Sequence, residues 1–489
     1  MAKSSEQTSL LSKESKISKD DKNHHPTYVR HLLVMFILMV VCKGGESMAS
    51  SALSQFIYSW SKNRTAEASG GVNQSNGTSN SSDACGKSES KASEDIAQKL
   101  ASRWEQYFNI TYAVLVYLSV STYGTLSDYF GRKFFICLAM FGYSLKCAVV
   151  AVVIYFDLHI VWLFFGYGID GILGSYYTVT SFSYASVADI TKEKDARVYG
   201  IALQEMFIGI GIMSTQIGNG YFIHAYGYLY PTITGCGLTL IALFLCTCLY
   251  KETLSNEAKE HVTKNTKPTL MTLCRRYFSF YSTGGSRDDR KAFWFCLLAF
   301  ISFEVAEMGR AAPTILYQQG SPFCWTSETI GWYTTGNYFV KFVIGCVMLK
   351  ILQMFVQPSY IAVLGILSCI ALDVTIGLAK SSIWLFVSIG FGVLSYLPKS
   401  ILRGLASSRA PKNLQGAMFA GLESSELICK MFATPGALAI YSATVDTSRG
   451  IIYFIVAGIN VITIVFIMCL HSVLKKQSSE KNRTIIQAS

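Results

Sequence analysis

Twelve stretches of mostly apolar residues, each about the length of a membrane-spanning helix, constrain this chain more than any other feature of its sequence. A helix needs about 20 such residues to cross the hydrocarbon core of a bilayer. The stretches therefore predict an all-α membrane protein with twelve transmembrane helices. They lie near residues 31–58, 108–127, 134–156, 160–184, 199–222, 229–250, 292–316, 329–353, 358–379, 381–403, 414–441 and 450–473.

The composition and the charge distribution fit this interpretation. Hydrophobic residues make up 51% of the 489 residues and charged residues only 15%, whereas about a quarter of an average globular domain is charged. The net charge of +11 needs no nucleic acid as partner, because the cytoplasmic loops of membrane proteins collect Lys and Arg. The predicted short loops on one face carry such residues and those on the other face (157–159, 223–228 and 317–328) carry none. We therefore expect both termini to be cytoplasmic.

The loop between the second and third spans reads GTLSDYFGRK, residues 124–133. It matches the loop signature of the major facilitator transporters, in which the two glycines allow close packing and a sharp turn. Asp128 and Arg132 are four residues apart and can bond to each other or to neighbouring helix ends, which would form a latch on the cytoplasmic side. The expected gating residues are Gly124, Asp128, Gly131, Arg132 and Lys133.

The spans form two groups of six around a polar linker, and two six-helix halves around an axis along the membrane normal are the major facilitator arrangement. A twelve-helix inverted-repeat transporter with unwound helices is the alternative. The expected regions are a disordered N-tail (1–30), an N-terminal half (31–250) with an external loop (59–107), a cytoplasmic linker (251–291), a C-terminal half (292–473) and a C-tail (474–489).

The 59–107 loop carries features of an external segment. Glycosylation sequons occur at Asn63, Asn73, Asn76 and Asn80. Cys85 in this loop and Cys324 in the 317–328 loop are the two cysteines in predicted external segments. An oxidising compartment favours a disulfide between them; the alternative is two free thiols too far apart to bridge.

Ionisable residues inside the spans are functional candidates, because a charge at the bilayer centre costs about 3 kcal/mol on insertion scales. Burial favours the neutral form of a carboxylic acid, so Glu205 and Glu307 are the expected proton carriers. Lys399 and Arg403 stack two positive charges on one helical face, which fits an anionic substrate. The expected substrate-binding residues are Arg310, Lys341, Lys146, Lys399, Arg403 and Glu426.

Spacing also predicts pairs within one helix, Glu307 with Arg310 and Glu426 with Lys430. Several of these charges fit a structural role equally well, as ion pairs or as side chains that reach the interface. This applies to Lys43, Asp170, Asp373 and Lys430.

Several stretches resemble solute carrier family 46, the proton-coupled folate transporter family: YASVADI (184–190), ALQEMFIGIGIM (202–213), SPFCW (321–325), ILR…QGAMFA (401–420) and IYSATV (440–445). The resemblance implies proton-coupled transport of organic anions such as folates, steroid conjugates, cyclic dinucleotides or muropeptides. It also implies proton coupling at Glu205, substrate and proton handling at Arg403, and an external disulfide of Cys85 with Cys324. Glu307 stands where the folate transporter has a histidine, so folate itself does not follow.

Three functions remain open: a proton-coupled organic-anion symporter, a proton-independent facilitator or exchanger of the same fold, and a non-transporting membrane receptor. The sequence carries no HExxH, P-loop or nucleophile-elbow motif, so no enzyme, cofactor or metal is expected. Glu6, Leu10 and Leu11 form an acidic-dileucine pattern of the kind that sorting adaptors bind. The lysosomal or endosomal membrane and the plasma membrane are both open locations.

Overall fold

The computed structural model describes residues 2–68, 91–191, 194–254, 287–320, 322–410, 414–444 and 447–488, and this part of the chain contains helices and no β-strand. The helices are α1 (Ala2–Ala68), α2 (Lys91–Phe130), α3 (Arg132–Tyr155), α4 (Leu163–Ile172), α5 (Ser175–Ile190), α6 (Lys194–Tyr226), α7 (Leu229–Leu249), α8 (Arg287–Gln319), α9 (Ser327–Tyr338), α10 (Gly345–Leu352), α11 (Pro358–Leu378), α12 (Ser382–Phe391), α13 (Leu397–Arg409), α14 (Gln415–Thr444) and α15 (Ile451–Ala488).

All twelve predicted spans correspond to helical structure. By length and apolar composition alone, nine segments of the described chain qualify as membrane spans. The other crossings are α2, which is rich in hydroxyl side chains, and the pairs α4–α5 and α12–α13, which are divided into shorter helices. Helices α1–α7 form the N-half and α8–α15 form the C-half.

Three of the predicted spans are interrupted, which the sequence analysis missed. Gly174 lies between α4 and α5 with a φ of 96°, a conformation that glycine adopts without steric cost. Pro398 lies in the first turn of α13, and its missing N–H cannot continue a helix that arrives from α12. Between α9 and α10, residues Phe339–Ile344 form a π-helical turn that contains Lys341.

The helices also extend beyond the predicted spans. α1 begins at Ala2, where we expected a disordered tail, and ends at Ala68, inside the expected external loop. α15 likewise continues through the expected C-tail to Ala488. A polar extension adds one backbone hydrogen bond for each residue that joins an existing helix, so hydropathy alone does not predict where such helices end.

The two halves are in close contact at one membrane face. We call the face that carries the turn at residues 131–133 the inner face, because the sequence predicts it to be cytoplasmic, and the opposite one the outer face. Near the inner face, Gly124 of α2 lies so close to α14 that a Cβ added to it would be 2.3 Å from the Ala420 Cβ. Tyr184 and Phe419 pack their rings across the same interface, with centroids 6.0 Å apart. The bundle is therefore closed at its inner face.

Glycines also fix the packing inside the N-half, where α1 crosses α7. A Cβ added to Gly235 would lie 2.7 Å from the Gly45 carbonyl oxygen and 2.9 Å from the Ala49 Cβ. Backbones approach this closely only where side chains are absent, as is common between membrane helices.

We predict that Gly235→Ala lowers the thermal stability of the purified protein, because overpacking typically costs about 1–3 kcal/mol. The measurement is the apparent melting temperature in detergent. Gly237→Ala on the same helix is the matched control, since a Cβ there would meet no atom within 4 Å. Equal melting temperatures for the two variants would contradict the packing described for α1 and α7.

Candidate functional site

The signature turn between α2 and α3 is built around a buried arginine. Arg132 is fully buried and makes two hydrogen bonds to the Asp189 carboxylate, at 2.6 and 3.2 Å. Its second carboxylate, Asp128, lies at 3.8 Å. The turn itself depends on Gly131, whose φ is 103°. The predicted Asp128–Arg132 pair is thus present, but the shorter and bidentate partner is Asp189, which the sequence analysis did not identify.

Asp128 also reaches the other half of the protein. Its carboxylate accepts a hydrogen bond of 3.3 Å from the Gly416 N–H, in the first turn of α14. A carboxylate is favourable there because the N-terminal end of a helix carries a partial positive charge. A Cβ at Gly416 would lie 2.8 Å from both Asp128 and Arg132. The signature therefore closes the inner face by binding the end of a helix in the C-half.

The backbone of Arg132 and Lys133, and the Lys133 side chain, hold α3 within the N-half. The Glu252 carboxylate accepts hydrogen bonds from the Arg132 and Lys133 backbone N–H groups, at 3.1 and 3.2 Å. The Lys133 ammonium donates to the Thr247 carbonyl at 2.8 Å. Lys133 is thus a local anchor on α7 and not part of the contact between the halves.

The equivalent loop of the C-half (354–357) has no copy of the signature, and two neighbouring contacts across the inner face end on backbone carbonyls. Arg197 donates to the Ser407 carbonyl at 3.2 Å, and Gln353 donates to the Asp195 carbonyl at 3.4 Å. No carboxylate takes part in either bond. The acceptor at the inner face is thus a carboxylate on one side, and on the other side it is a backbone carbonyl that binds Arg197 or Gln353.

Arg403 of α13 is the centre of an ion cluster between the halves. Its guanidinium pairs with Glu205 of the N-half and donates to the Tyr184 hydroxyl at 3.1 Å. On the C-half side it binds Glu423 at 2.6 Å and Glu426 at 2.9 Å. The arginine is fully buried, so charge-assisted bonds from three carboxylates and a phenol replace its hydration.

Lys399, one helical turn before Arg403, extends this central cluster. Its ammonium lies 3.0 Å from Glu304 and 2.8 Å from Glu426. Tyr396 donates its hydroxyl to Glu205 at 3.0 Å. The central cluster contains four carboxylates (Glu205, Glu304, Glu423 and Glu426) and two cations (Lys399 and Arg403).

A second cluster lies within the C-half. Arg310 pairs with Glu307, three residues before it, and lies 3.1 Å from Asp373. Lys341 of the π-helical turn reaches Glu307 at 3.4 Å. Asn460 donates to the second oxygen of Asp373 at 3.1 Å. This C-half cluster contains two carboxylates and two cations, so it has no net charge when all four groups are ionised.

A third cluster lines the N-half. Lys43 pairs with Glu46 at 2.6 Å, and Lys146 pairs with Asp170 at 3.1 Å. Lys430 of α14 faces this cluster across the interface and lies close enough to Lys43, Glu46 and Lys146 to interact electrostatically. Three cations and two carboxylates make this N-half cluster the positive part of the interior.

Two expectations about these charges are wrong. Among the described ion pairs, Glu426 does not pair with Lys430 but with Lys399 and Arg403 of α13, at 2.8 and 2.9 Å. Lys399 and Arg403 are neutralised by the protein's own carboxylates, so their proximity is not evidence for an anionic substrate. The expected pair of Glu307 with Arg310 is present. Glu304 and Glu423 belong to the central cluster, although the sequence analysis did not choose them as site residues.

Only some of the residues named in the predictions for the external segments and the N-tail lie within the described part of the chain. Cys324 is disulfide-bonded, while Cys85 lies outside the described residues, so their pairing stays a prediction. Asn63 is exposed near the end of α1. The other sequons (Asn73, Asn76 and Asn80) lie outside the described part, and nothing is described for the side chains of Glu6, Leu10 and Leu11.

A match to a protein-family model shows which family this chain belongs to. The family model of the Major Facilitator Superfamily matches residues 106–426, which is more than half of the chain. This chain belongs to the Major Facilitator Superfamily. It is a multi-pass membrane transporter of two six-helix halves and not an enzyme, which confirms the predicted fold class.

Curated relatives come from solute carrier family 46. The chain is 26% identical over 359 residues to the mouse lysosomal proton-coupled steroid conjugate and bile acid symporter SLC46A3, which covers 72% of this chain and 77% of the relative. It is 24% identical over 377 residues to the rat proton-coupled folate transporter, with 77% and 80% covered. The family resemblance stated from the sequence is confirmed by these matches.

Solved structures show the same fold. The human organic anion transporter MFSD10 (TETRAN) superposes with a TM-score of 0.66 at 14% identity and covers 90% of this chain and 99% of its own. The proton:xylose symporter XylE gives a TM-score of 0.61 at 14% identity, with 90% and 95% covered.

We predict that Asp189→Asn destabilises the closed inner face, because it leaves the buried Arg132 without its bidentate carboxylate. Breaking one partner of a buried ion pair typically costs about 3–5 kcal/mol. The expected result is a lower melting temperature and greater protease sensitivity near the inner face. Asp157→Asn is the control, since Asp157 is exposed in a loop and has a φ of 49° that asparagine accepts. Equal behaviour of the two variants would show that Asp189 does not hold Arg132.

Proposed function

We propose that this protein is a secondary active symporter that moves protons together with an organic anion by alternating access. The relatives' names support this proposal, since SLC46A3 is a proton-coupled steroid conjugate and bile acid symporter and the second relative is a proton-coupled folate transporter. The expected partners are protons and a small organic anion of the folate-like, steroid-conjugate, cyclic-dinucleotide or muropeptide class.

The observation that carries the proposal is the charge imbalance of the central cluster. Four carboxylates share two cations there, and Glu304, Glu423 and Glu205 are all buried. Unpaired ionised groups are costly to bury, so such groups take up protons instead. The cluster therefore has room for two protons, and we assign them to carboxylates that share Lys399 and Arg403.

Glu304 and Glu423 are the strongest proton acceptors in this arrangement. Neither oxygen of Glu304 has a hydrogen bond of good geometry among the described residues, and its one ion pair is to a lysine shared with Glu426. Glu423 shares Arg403 with two other carboxylates. Glu307, by contrast, belongs to the balanced C-half cluster, so we no longer assign it a proton. Glu205 remains in the mechanism as the carboxylate that crosses between the halves.

Proton binding is coupled to motion because the central cluster joins the halves. Arg403 of the C-half holds Glu205 of the N-half while the inner face is closed. Opening that face separates the two side chains. A proton on Glu205 or Glu423 removes a negative charge from the surroundings of Arg403, which weakens the contact that opposes opening.

We predict that Glu304→Gln and Glu423→Gln greatly reduce the stimulation of uptake by an acidic exterior, because each variant removes one protonatable site. The stimulation is measured as uptake of taurocholate, estrone sulfate and folic acid into proteoliposomes with an imposed pH gradient. Each variant keeps the size of the side chain, and Glu328→Gln at the exposed start of α9 is the control.

Two results would contradict the proposal. Uptake by the wild type that does not respond to the pH gradient would favour a facilitator or exchanger of the same fold. Binding of a probe without uptake at any gradient would favour a membrane receptor. Acid-stimulated uptake that both glutamine variants retain would contradict the assignment of the protons, but not the symport.

For location we propose a lysosomal or endosomal membrane with both termini in the cytoplasm. Support comes from the acidic-dileucine pattern at Glu6, Leu10 and Leu11 and from the lysosomal name of one relative. We predict that replacing Leu10 and Leu11 by alanine shifts the tagged protein to the plasma membrane, which imaging measures. An unchanged distribution, with surface labelling already present in the wild type, would indicate the plasma membrane as the normal location.

A further inference from the structure

Lys430 is a cation that the ion clusters of the interior leave without a carboxylate. The ion pairs among the described residues give Glu426, four residues earlier on the same helix, to Lys399 and Arg403. None of them includes Lys430, whose side chain is exposed. A lysine at mid-span is costly unless something neutralises it, so its lack of a partner needs an explanation.

The side chain of Lys430 is directed to the centre of the bundle and not to lipid. It lies seven residues after Glu423, so the two share a face within about 20° of rotation. Ile428 and Phe432, two residues on either side, project from the opposite face and are 42% and 67% exposed, as expected for lipid-facing positions. An exposed side chain on the inward face borders an open space between the halves.

The wall opposite Lys430 is positive and aromatic. The Lys43 ammonium lies over the Tyr176 ring, 3.7 Å from its centroid. The Lys146 ammonium lies 4.2 Å from the centroid of Tyr167 and 5.0 Å from that of Tyr112. Each of these two lysines already has one carboxylate, Glu46 or Asp170. Lys430, the third cation of the N-half cluster, is therefore the one available to a ligand.

The N-half wall also has unfilled space. A cavity of about 20 Å³ lies beside Lys146, between Ala49, Tyr143 and Tyr167. It is too small for an organic solute and has the size of about one water molecule. It shows that the space between the Tyr143 and Tyr167 rings beside Lys146 is not completely filled.

We propose that Lys430 binds the anionic group of the transported solute, and that the tyrosine-lined wall of the N-half binds its aromatic or alicyclic body. This inference rests on the proposed function and names the substrate contact within it. The ligand chemistry is a single carboxylate or sulfate, because the N-half cluster has three cations for two carboxylates and so lacks one negative charge. Binding there neutralises Lys430 and joins α14 of the C-half to the N-half wall.

The position of Lys430 along α14 agrees with this role. Gly416 of α14 lies at the closed inner face and Glu423 in the central cluster, and Lys430 follows two turns further towards the outer face. A solute that enters from the outer side therefore meets Lys430 before it meets the central carboxylates. The cations of the central cluster are already bound by carboxylates, so they do not compete for the entering anion.

The test compares Lys430→Gln with Lys430→Arg in proteoliposomes, with taurocholate, estrone sulfate and folic acid as probes and an acidic exterior. We expect Lys430→Gln to raise KM for the transported probe about tenfold, the effect of losing one charge-assisted hydrogen bond, with little change in maximal rate. Lys430→Arg keeps the charge and should stay near the wild-type KM. Lys380→Gln, which removes an exposed cation from the connection between α11 and α12, is the matched control.

Two further readouts separate binding from a structural role. The melting temperature of Lys430→Gln without ligand should equal that of the wild type, since the variant breaks no ion pair. Its stimulation by an acidic exterior should also persist, because the protonatable carboxylates are intact. Acid-stimulated uptake with an unchanged KM in Lys430→Gln would overturn this inference and leave the proposed function in place. A wild type whose uptake of these probes does not rise under the gradient would overturn both.

Discussion

The contact between Arg403 and Glu205 is the interaction on which the rest of the interior depends. It joins the C-half to the N-half at a buried position, where an ion pair is strong if kept and costly if one partner is left alone. Tyr184 and Tyr396 bind the same two residues, one from each half. When the halves rock apart at this level, Arg403 keeps Glu423 and Glu426 of its own half, whereas Glu205 needs a new partner for its charge. A proton is the partner that a proton-coupled transporter has available for a carboxylate.

The inner-face gate and the central cluster are linked through α14. Its first turn receives the Asp128 carboxylate at Gly416, and its next turns carry Glu423 and Glu426. A rigid helix transmits a change at one end to the other, because its backbone hydrogen bonds resist bending. When Arg403 releases Glu423, the same helix is free to withdraw from Asp128. Helix α14 therefore connects the signature turn to the carboxylates to which we assign the protons.

Much of this organisation follows from the sequence, and what was missed has identifiable physical causes. Apolar length predicts the twelve crossings, and the GTLSDYFGRK turn predicts a latch at Asp128 and Arg132. The breaks at Gly174 and before Pro398 were missed, because hydropathy averages over single residues that interrupt a helix. Pairing across helices was also missed. Spacing in one helix correctly predicts Glu307 with Arg310, but it cannot show that Glu426 turns away from Lys430 to reach Lys399.

The ion pairs of the central cluster likewise could not be predicted from the sequence. Glu304 and Glu423 are visible in the sequence as charges inside spans, but the sequence does not show that they meet Lys399 and Arg403. Asp189 is similar, since its carboxylate becomes important only through its contact with Arg132 on a different helix. Long-range pairs of this kind are set by how helices pack, and a single sequence without relatives carries little information about packing.

Charge balance connects the three clusters to transport. With all groups ionised, the central cluster carries two negative charges in excess, the C-half cluster none, and the N-half cluster one positive charge in excess. Two protons in the central cluster and one monoanion at Lys430 therefore leave the interior neutral. The anion without protons leaves it with two negative charges, which the low dielectric of a bilayer penalises. On the proposed function, this penalty is what couples the solutes: the halves rearrange readily only when proton and anion are bound together.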